Sequence, residues 1–184
     1  FDEDTELNLL LSSFDIDDDP LSYTVSQGLQ ITANLSDNNL IFIPDQDFNG
    51  TETFIVTVTD GLLEALETFT ITINAVNDAP VLEAVSDVSF DEDTSGSLSV
   101  SGSDIDGDDL SYSISGGTDI TASLDGSDIS FSAPLDFNGS ETFTISVSDD
   151  EYTDSQSMTV TILPVNDAPV ATADLSGVTN EDQS

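Results

Sequence analysis

The sequence predicts an all-β chain built from tandem antiparallel β-sandwiches, and three observations predict it. One unit of 89 residues occurs twice without a gap. Apolar residues inside each unit alternate with a period of two. Clusters of Gly, Asn, Asp and Ser separate the alternating runs. Alternation over four to eight residues is the mark of a half-buried strand. Six or seven such strands in about 90 residues describe a sandwich.

The repeat is read directly from the chain. "FDEDT" at 1–5 returns at 90–94, and "DID" at 15–17 returns at 104–106. "LSY" at 21–23 returns at 110–112, "ITA" at 31–33 at 120–122, and "DFNG" at 47–50 at 136–139. "NDAPV" at 77–81 returns at 166–170. Recurrence at a fixed spacing is the signature of a tandem array. The expected boundaries are 1–80 for a repeat lacking its first strand, 81–169 for a complete repeat, and 170–184 for the start of a third. The Pro of "NDAP" marks each boundary, since Pro suits a stiff linker or the entry to an edge strand. Phe1 stands where a full chain has Met, so the start reads as internal to something longer.

The strands follow in order. Leu9 and Leu11 form the first run, then Leu21, Tyr23 and Val25, then Ile31, Ala33 and Leu35, then Leu40 and Phe42. Phe54, Val56 and Val58 alternate with Ile55, Thr57 and Thr59, and Phe69, Ile71 and Ile73 alternate with Thr70 and Thr72. Phe143, Ile145 and Val147 repeat the fifth run, and Met158, Val160 and Ile162 repeat the sixth. "GLLEALE" at 61–67 is the one helix-like stretch. It is too short to hold a helix alone and is read as a hairpin loop.

Charge narrows the function. The chain carries 38 acidic residues and no Lys, Arg or His, for a formal charge of −38. Nucleic acid is excluded as a partner, because phosphate contacts need Lys or Arg. Anionic lipid is disfavoured for the same reason, and no apolar run is long enough to insert in a membrane. Such a chain repels itself, so a cation must come from outside. Monovalent salt would screen the charge; divalent ions would bind at defined places. Asp outnumbers Glu by 28 to 10, which favours turns and hard-cation ligation over a plain solubility coat. Cys is absent, so core packing or metal must hold the fold.

"DEDT", then "DxD" before "LxY", then "TVTDG" and "VNDAP" follow one another in a fixed order. In that order the chain resembles the bacterial cadherin-like tandem repeat of large secreted or cell-surface adhesins. The resemblance implies immunoglobulin-like, cadherin-like sandwiches in an elongated array. It also implies calcium at each junction, where a Glu after the first strand, an Asn-Asp linker and the acidic pair of the next unit meet. Carried over here, the first junction takes Glu3 and Asp47, then Asn77 and Asp78 of the linker, then Asp104, Asp106 and Asp149. The set above the first unit is Asp15, Asp17 and Asp60. The set below the second is Glu92, Asp136, Asn166 and Asp167. Cadherin linkers offer a further Asn before the Pro; Ala79 and Ala168 stand there, which removes one ligand.

Plainer readings accompany these residues. "DFNG" reads first as a tight turn that buries Phe48 and Phe137, with a ligand role for its Asp second. Glu3 and Glu92 compete with a reading as solvated acids. "DIDGDD" at 104–109 has the spacing of an EF-hand start but lacks Gly at the sixth position and has Ser115 at the twelfth. "NGT" at 49–51 and "NGS" at 138–140 are sequons read as turns. No His, Cys or Lys is available for base, thiol or Schiff-base chemistry, so no enzyme is expected.

The expected function is a calcium-stiffened extender of an extracellular or cell-surface adhesin, with neighbouring repeats as partners. Polysaccharide binding is the rival. Sugar platforms favour exposed aromatics; the chain has no Trp, and Tyr152 is the candidate because Tyr23 and Tyr112 look inward. A surface-binding row at Thr68, Thr70 and Thr72, and homotypic assembly of copies, are further alternatives.

Overall fold

The computed structural model describes residues 1–169, so the expected start of a third repeat at 170–184 lies outside the described residues. Every element among them is a β-strand. The chain divides into two compact units. One comprises Phe1–Ala79 together with Asp104–Asp108; the other comprises Pro80–Ser103 and the described residues 109–169.

The first unit contains β1 (Leu7–Leu10), β2 (Ser22–Val25), β3 (Ile31–Ser36), β4 (Asn39–Pro44), β5 (Gly50–Thr59) and β6 (Glu64–Ile73). They form two three-stranded sheets, β1-β4-β3 and β2-β5-β6, with every pair antiparallel. The period-two pattern turns Ile31, Ala33, Leu40 and Phe42 of one sheet toward Phe54, Val56, Ile71 and Ile73 of the other. Phe42 and Phe54 meet edge to face with centroids 4.8 Å apart, the arrangement that aromatic quadrupoles prefer. One expectation is corrected here. The loop after β5 is confined to Asp60–Leu63, and Glu64–Glu67 extend β6 in register with Thr59–Val56. Asp60 closes that short turn, its Oδ1 accepting the amides of Leu62 and Leu63 at 2.7 Å each.

The second unit has β7 (Val81–Leu82), β8 (Val88–Asp91), β9 (Gly96–Ser99), β10 (Gly102–Ser103), β11 (Ser111–Gly116), β12 (Thr121–Asp125), β13 (Asp128–Ser132), β14 (Gly139–Ser148) and β15 (Thr153–Leu163). Its sheets are β11-β14-β15-β8, β12-β13-β9 and the short pair β10-β7. β8 runs parallel to β15, so the sandwich is not purely antiparallel. Leu82 enters the core beside Val147 and Met158. Its main chain is held by Asp154, whose Oδ2 accepts the Leu82 amide, and by Gln156, whose amide donates to the Leu82 carbonyl. β7 has no counterpart in residues 1–79, and of β8 only the end is repeated there, as the parallel Asp2–Asn74 bridge that matches Asp91–Leu163. The corresponding space there is a groove of about 350 Å³ bordered by Leu11, Tyr23, Val56, Val58 and Phe69.

Acids on the strands have local work of this kind. Glu141 on β14 accepts the amides of Thr118, Asp119 and Ile120 at 2.8, 3.0 and 3.1 Å, which fixes the loop into β12. Glu52 does the same for Leu29 and Gln30 in the first unit. Bonds from the backbone amides of Asp119 and Thr118 hold the Glu141 carboxyl below the usual glutamate range. A depressed folded value means stability that is present above the unfolded value and lost as pH falls through the folded one. Glu141→Gln should therefore lower the melting temperature by a few degrees at neutral pH. In a pH series of thermal melts that difference should close below the ordinary glutamate value.

Candidate metal centre

The 28 Asp residues have a structural use that precedes any ligand role. Seven of the non-glycine residues with positive φ are Asp4, Asp18, Asp37, Asp47, Asp93, Asp136 and Asp150. Asp tolerates the left-handed region because its short side chain bonds back to the nearby main chain. Asp47 (φ 56°) and Asp136 (φ 60°) open the "DFNG" turns, and Phe48 and Phe137 are partly buried against the two cores. The turn reading of that motif thus describes its backbone. The same turn also aims the carboxylate: the Asp47 amide donates to Asp4 Oδ1 at 3.4 Å, and the Asp136 amide donates to Asp93 Oδ1 at 3.0 Å.

Among the described residues, four groups of three carboxylates each bring one oxygen apiece within 4.8 Å of the others. They are Glu3, Asp78 and Asp106; Asp4, Asp47 and Asp78; Asp104, Asp106 and Asp108; and Asp93, Asp136 and Asp167. The first three share Asp78 and Asp106. They join into one run of seven carboxylates, all of it within the first compact unit because that unit includes 104–108.

Glu3 is the centre of the run. It follows an isolated parallel bridge between Asp2 and Asn74, and its amide donates to the Asn74 carbonyl. That bridge pins the side chain inside, where it is 2% exposed. Its Oε1 accepts the Val76 amide at 2.6 Å, while Oε2 is buried without a hydrogen-bond partner. Asp78 Oδ2 and Asp104 Oδ2 are buried and unpartnered as well. Asp104 spends its other oxygen on the amides of Asp106, Gly107 and Asp108, which curls the loop. Asp106 Oδ2 then accepts the Asp78 amide at 2.8 Å. Burial, followed by the charges of Asp47, Asp106, Asp4 and Glu3, raises the Asp78 carboxyl above the usual aspartate range.

The second unit repeats part of this. Glu92 is 6% exposed, and both of its oxygens are used: Oε1 accepts the Val165 amide and Oε2 accepts from Asn138 Nδ2. Asp93, Asp136 and Asp167 form the neighbouring group, and the charge of Asp136 is the first cause of a raised Asp167 value. Asn77 and Asn166 each donate from Nδ2 to the carbonyl of the following Asp.

The remaining sequence candidates stand apart from these groups. Asp15 Oδ1 accepts the amides of Asp17 and Asp19, and Asp149 Oδ1 accepts those of Glu151 and Tyr152. Asp15, Asp17, Asp60 and Asp149 fall in none of the four carboxylate groups. Three residues that sequence reasoning passed over do belong: Asp4, its repeat Asp93, and Asp108. The signal was present for Asp4, since "FDEDT" repeats all its acids and not Glu alone.

The chemistry of the set is narrow. All donors are oxygens, which suits hard cations and not thiolate- or imidazole-loving metals. An ionised carboxylate buried without a partner costs several kcal/mol unless a cation compensates it, and this chain has no basic side chain to do so.

Comparison with known proteins places the fold. The sequence profile described as "Bacterial Ig domain" matches residues 1–74 and again 77–162. Over 111 residues the chain is 34% identical to chitinase A of Pseudoalteromonas piscicida, covering 58% of this chain and 14% of the chitinase. Among solved structures, human protocadherin-24 EC1-2 superposes with a TM-score of 0.56 at 17% identity, covering 85% of this chain and 88% of that one. Protocadherin gamma B7 extracellular domains 1–4 give a TM-score of 0.51 at 17% identity, covering 90% and 48%. These structural likenesses concern the fold alone.

Crowding at Asp78 sets a testable sign. A carboxyl whose folded value is raised gives stability below its unfolded value that is lost as pH rises through the folded one. In EDTA at neutral pH, Asp78→Asn should raise the melting temperature by a few degrees. A fall would mean that the local repulsion is already relieved.

Proposed function

The chain belongs to the bacterial Ig domain family, and we propose that its two repeats are a non-catalytic, calcium-loaded extender within a secreted or cell-surface protein, in the manner of an adhesin. The observation that carries this reading is Glu3 Oε2, a buried and unpartnered carboxylate oxygen beside Asp78 and Asp106 in a chain without basic side chains. A divalent cation compensates that charge. Calcium is the choice because it takes six to eight oxygens in flexible geometry, drawn here from several loops, whereas magnesium demands a tight octahedron. Seven linked carboxylates, with Asn77 and main-chain carbonyls nearby, offer more oxygens than one ion uses, so more than one ion per run is expected. Bound ions would fix the 104–108 loop against Asn77 and Asp78 and make the joint stiff.

A second reading, contact with polysaccharide, is favoured by one finding, the stretch shared with a chitinase. The chain spans about a seventh of that enzyme's length, so its chitin-directed activity is not carried over with the match. An extracellular setting suits both readings.

Thermal melting tests the first. Binding to the folded state alone raises stability by about 2.7 kcal/mol at a hundredfold excess over Kd. Millimolar calcium after EDTA should therefore raise the transition by several degrees. Glu3→Gln should lose most of that gain, and Asp78→Asn, stabilising in EDTA, should become destabilising in calcium. A transition that calcium does not move removes the proposal.

A further inference from the structure

The outward face of the β8-β15-β14-β11 sheet has a composition that the calcium reading leaves unused. On β14 every second residue from 140 to 148 is Ser or Thr. The same holds from 153 to 161 on β15, from 111 to 115 on β11, and at 89 on β8. Register sets these side chains in rows across the sheet: Ser113 faces Ser146, which faces Ser155, and the next row is Ser115, Thr144 and Ser157. Hydroxyls touch along the rows, Ser146 with Ser155 at 2.8 Å and Ser140 with Thr161 at 3.0 Å. On β11, β14 and β15 no charged residue interrupts the grid; on the edge strand β8 the exposed Asp91 follows Ser89 on the same face. The other two acids on these strands, Glu141 and Asp154, are turned to other duties, binding the amides of 118–120 and of Leu82.

Two ordinary causes do not account for it. Strand propensity favours Thr but not Ser, and most of the grid is Ser. Solubility would be served by acids, which this chain has in abundance. The matching face of the first unit keeps Thr51, Thr53, Thr57, Thr68, Thr70 and Thr72, but exposed Ile55, Leu66 and Glu64 break its grid. The continuous hydroxyl face is thus a property of the second unit.

We propose that this face is a contact surface for a neutral polysaccharide lying flat along the sheet. The inference rests on the second reading above and gives it a location. Rows of small side chains across paired strands suit an extended or planar partner. Each hydroxyl both donates and accepts, which matches a polymer of hydroxyls. A chain of charge −38 repels anionic glycans, while a neutral glycan lying along β11, β14 and β15 meets no carboxylate to desolvate, Asp91 standing at the β8 edge. Single hydroxyl contacts are weak, and the rows of this one face would engage an extended polymer at many points at once.

The test uses the whole chain in millimolar calcium, co-sedimented with insoluble chitin and, separately, with a calcium-gelled acidic glycan. Retention on chitin is expected, little on the acidic gel, and no loss in about 1 M sodium chloride, where charge effects are screened within a few Å. Thr144→Glu with Ser146→Glu should weaken retention by roughly tenfold or more, because hydroxyl contacts give way to desolvated charge. Thr144→Val with Ser157→Val, which keeps strand propensity, should weaken it too, with the melting temperature checked for both. Thr53→Glu with Thr70→Glu on the first unit should leave retention unchanged. Failure of the unaltered chain to bind chitin overturns this inference and the polysaccharide reading together. Equal retention by both second-unit variants overturns the face alone. Neither result touches the calcium melt.

Discussion

An uncompensated negative charge governs this molecule. Thirty-eight acids and no basic side chain leave each carboxylate to be satisfied by main-chain amides, by neutral side-chain donors such as Asn138, by water or by an added cation. The amides come first. Glu52, Glu141, Asp15, Asp60, Asp104 and Asp149 all spend oxygens on backbone N–H groups of adjacent loops. Acids thereby do the loop-fixing that other sandwiches share among several residue types. What remains after that satisfaction is concentrated at Glu3, Asp78 and Asp104, where oxygens are buried with nothing to bond.

The same constraint divides the surface by function. Strand interiors largely alternate apolar and hydroxyl side chains, and like charges directly opposite, a placement that destabilises a ladder, are confined to the hairpin end where Asp125 faces Asp128. Carboxylates gather in turns, where positive-φ Asp residues supply both the bend and the charge. Turn chemistry and ligand chemistry therefore use the same residues, as at Asp47, and a motif cannot be assigned to one role by spelling alone.

Much of this was legible before any coordinates. Period-two alternation gave each strand of the first repeat, because burial on one face leaves an unbroken record in sequence. It failed at Glu64–Glu67, where the strand end is exposed on both faces and carries no alternation. The parallel pairing of β8 was hidden for another reason: partner and direction depend on chain path, not on local pattern. Of the site, Glu3, Asp78 and Asp106 were nameable by resemblance, yet their convergence needed the curl of 104–108 and the Asp2–Asn74 bridge. Asp60 and Asp149 accept turn amides, and a turn-closing Asp and a ligating Asp are spelled alike, so sequence does not separate the two roles there. Asp4 is not distinguished in sequence because it occupies a left-handed turn position that Asp fills for its backbone alone.

The loop 104–108 belongs by sequence to the second repeat and by packing to the first compact unit. The copied length and the folded piece are therefore out of step. Excising 1–80 as a module takes away Glu3 and Asp78 but leaves Asp106 behind. Shuffling, deleting or grafting whole repeats should respect the joint before the boundary. A graft stays intact only if its new neighbour brings a compatible "DxD" loop, so compatibility in such a chain is a relation between adjacent copies and not a property of either one.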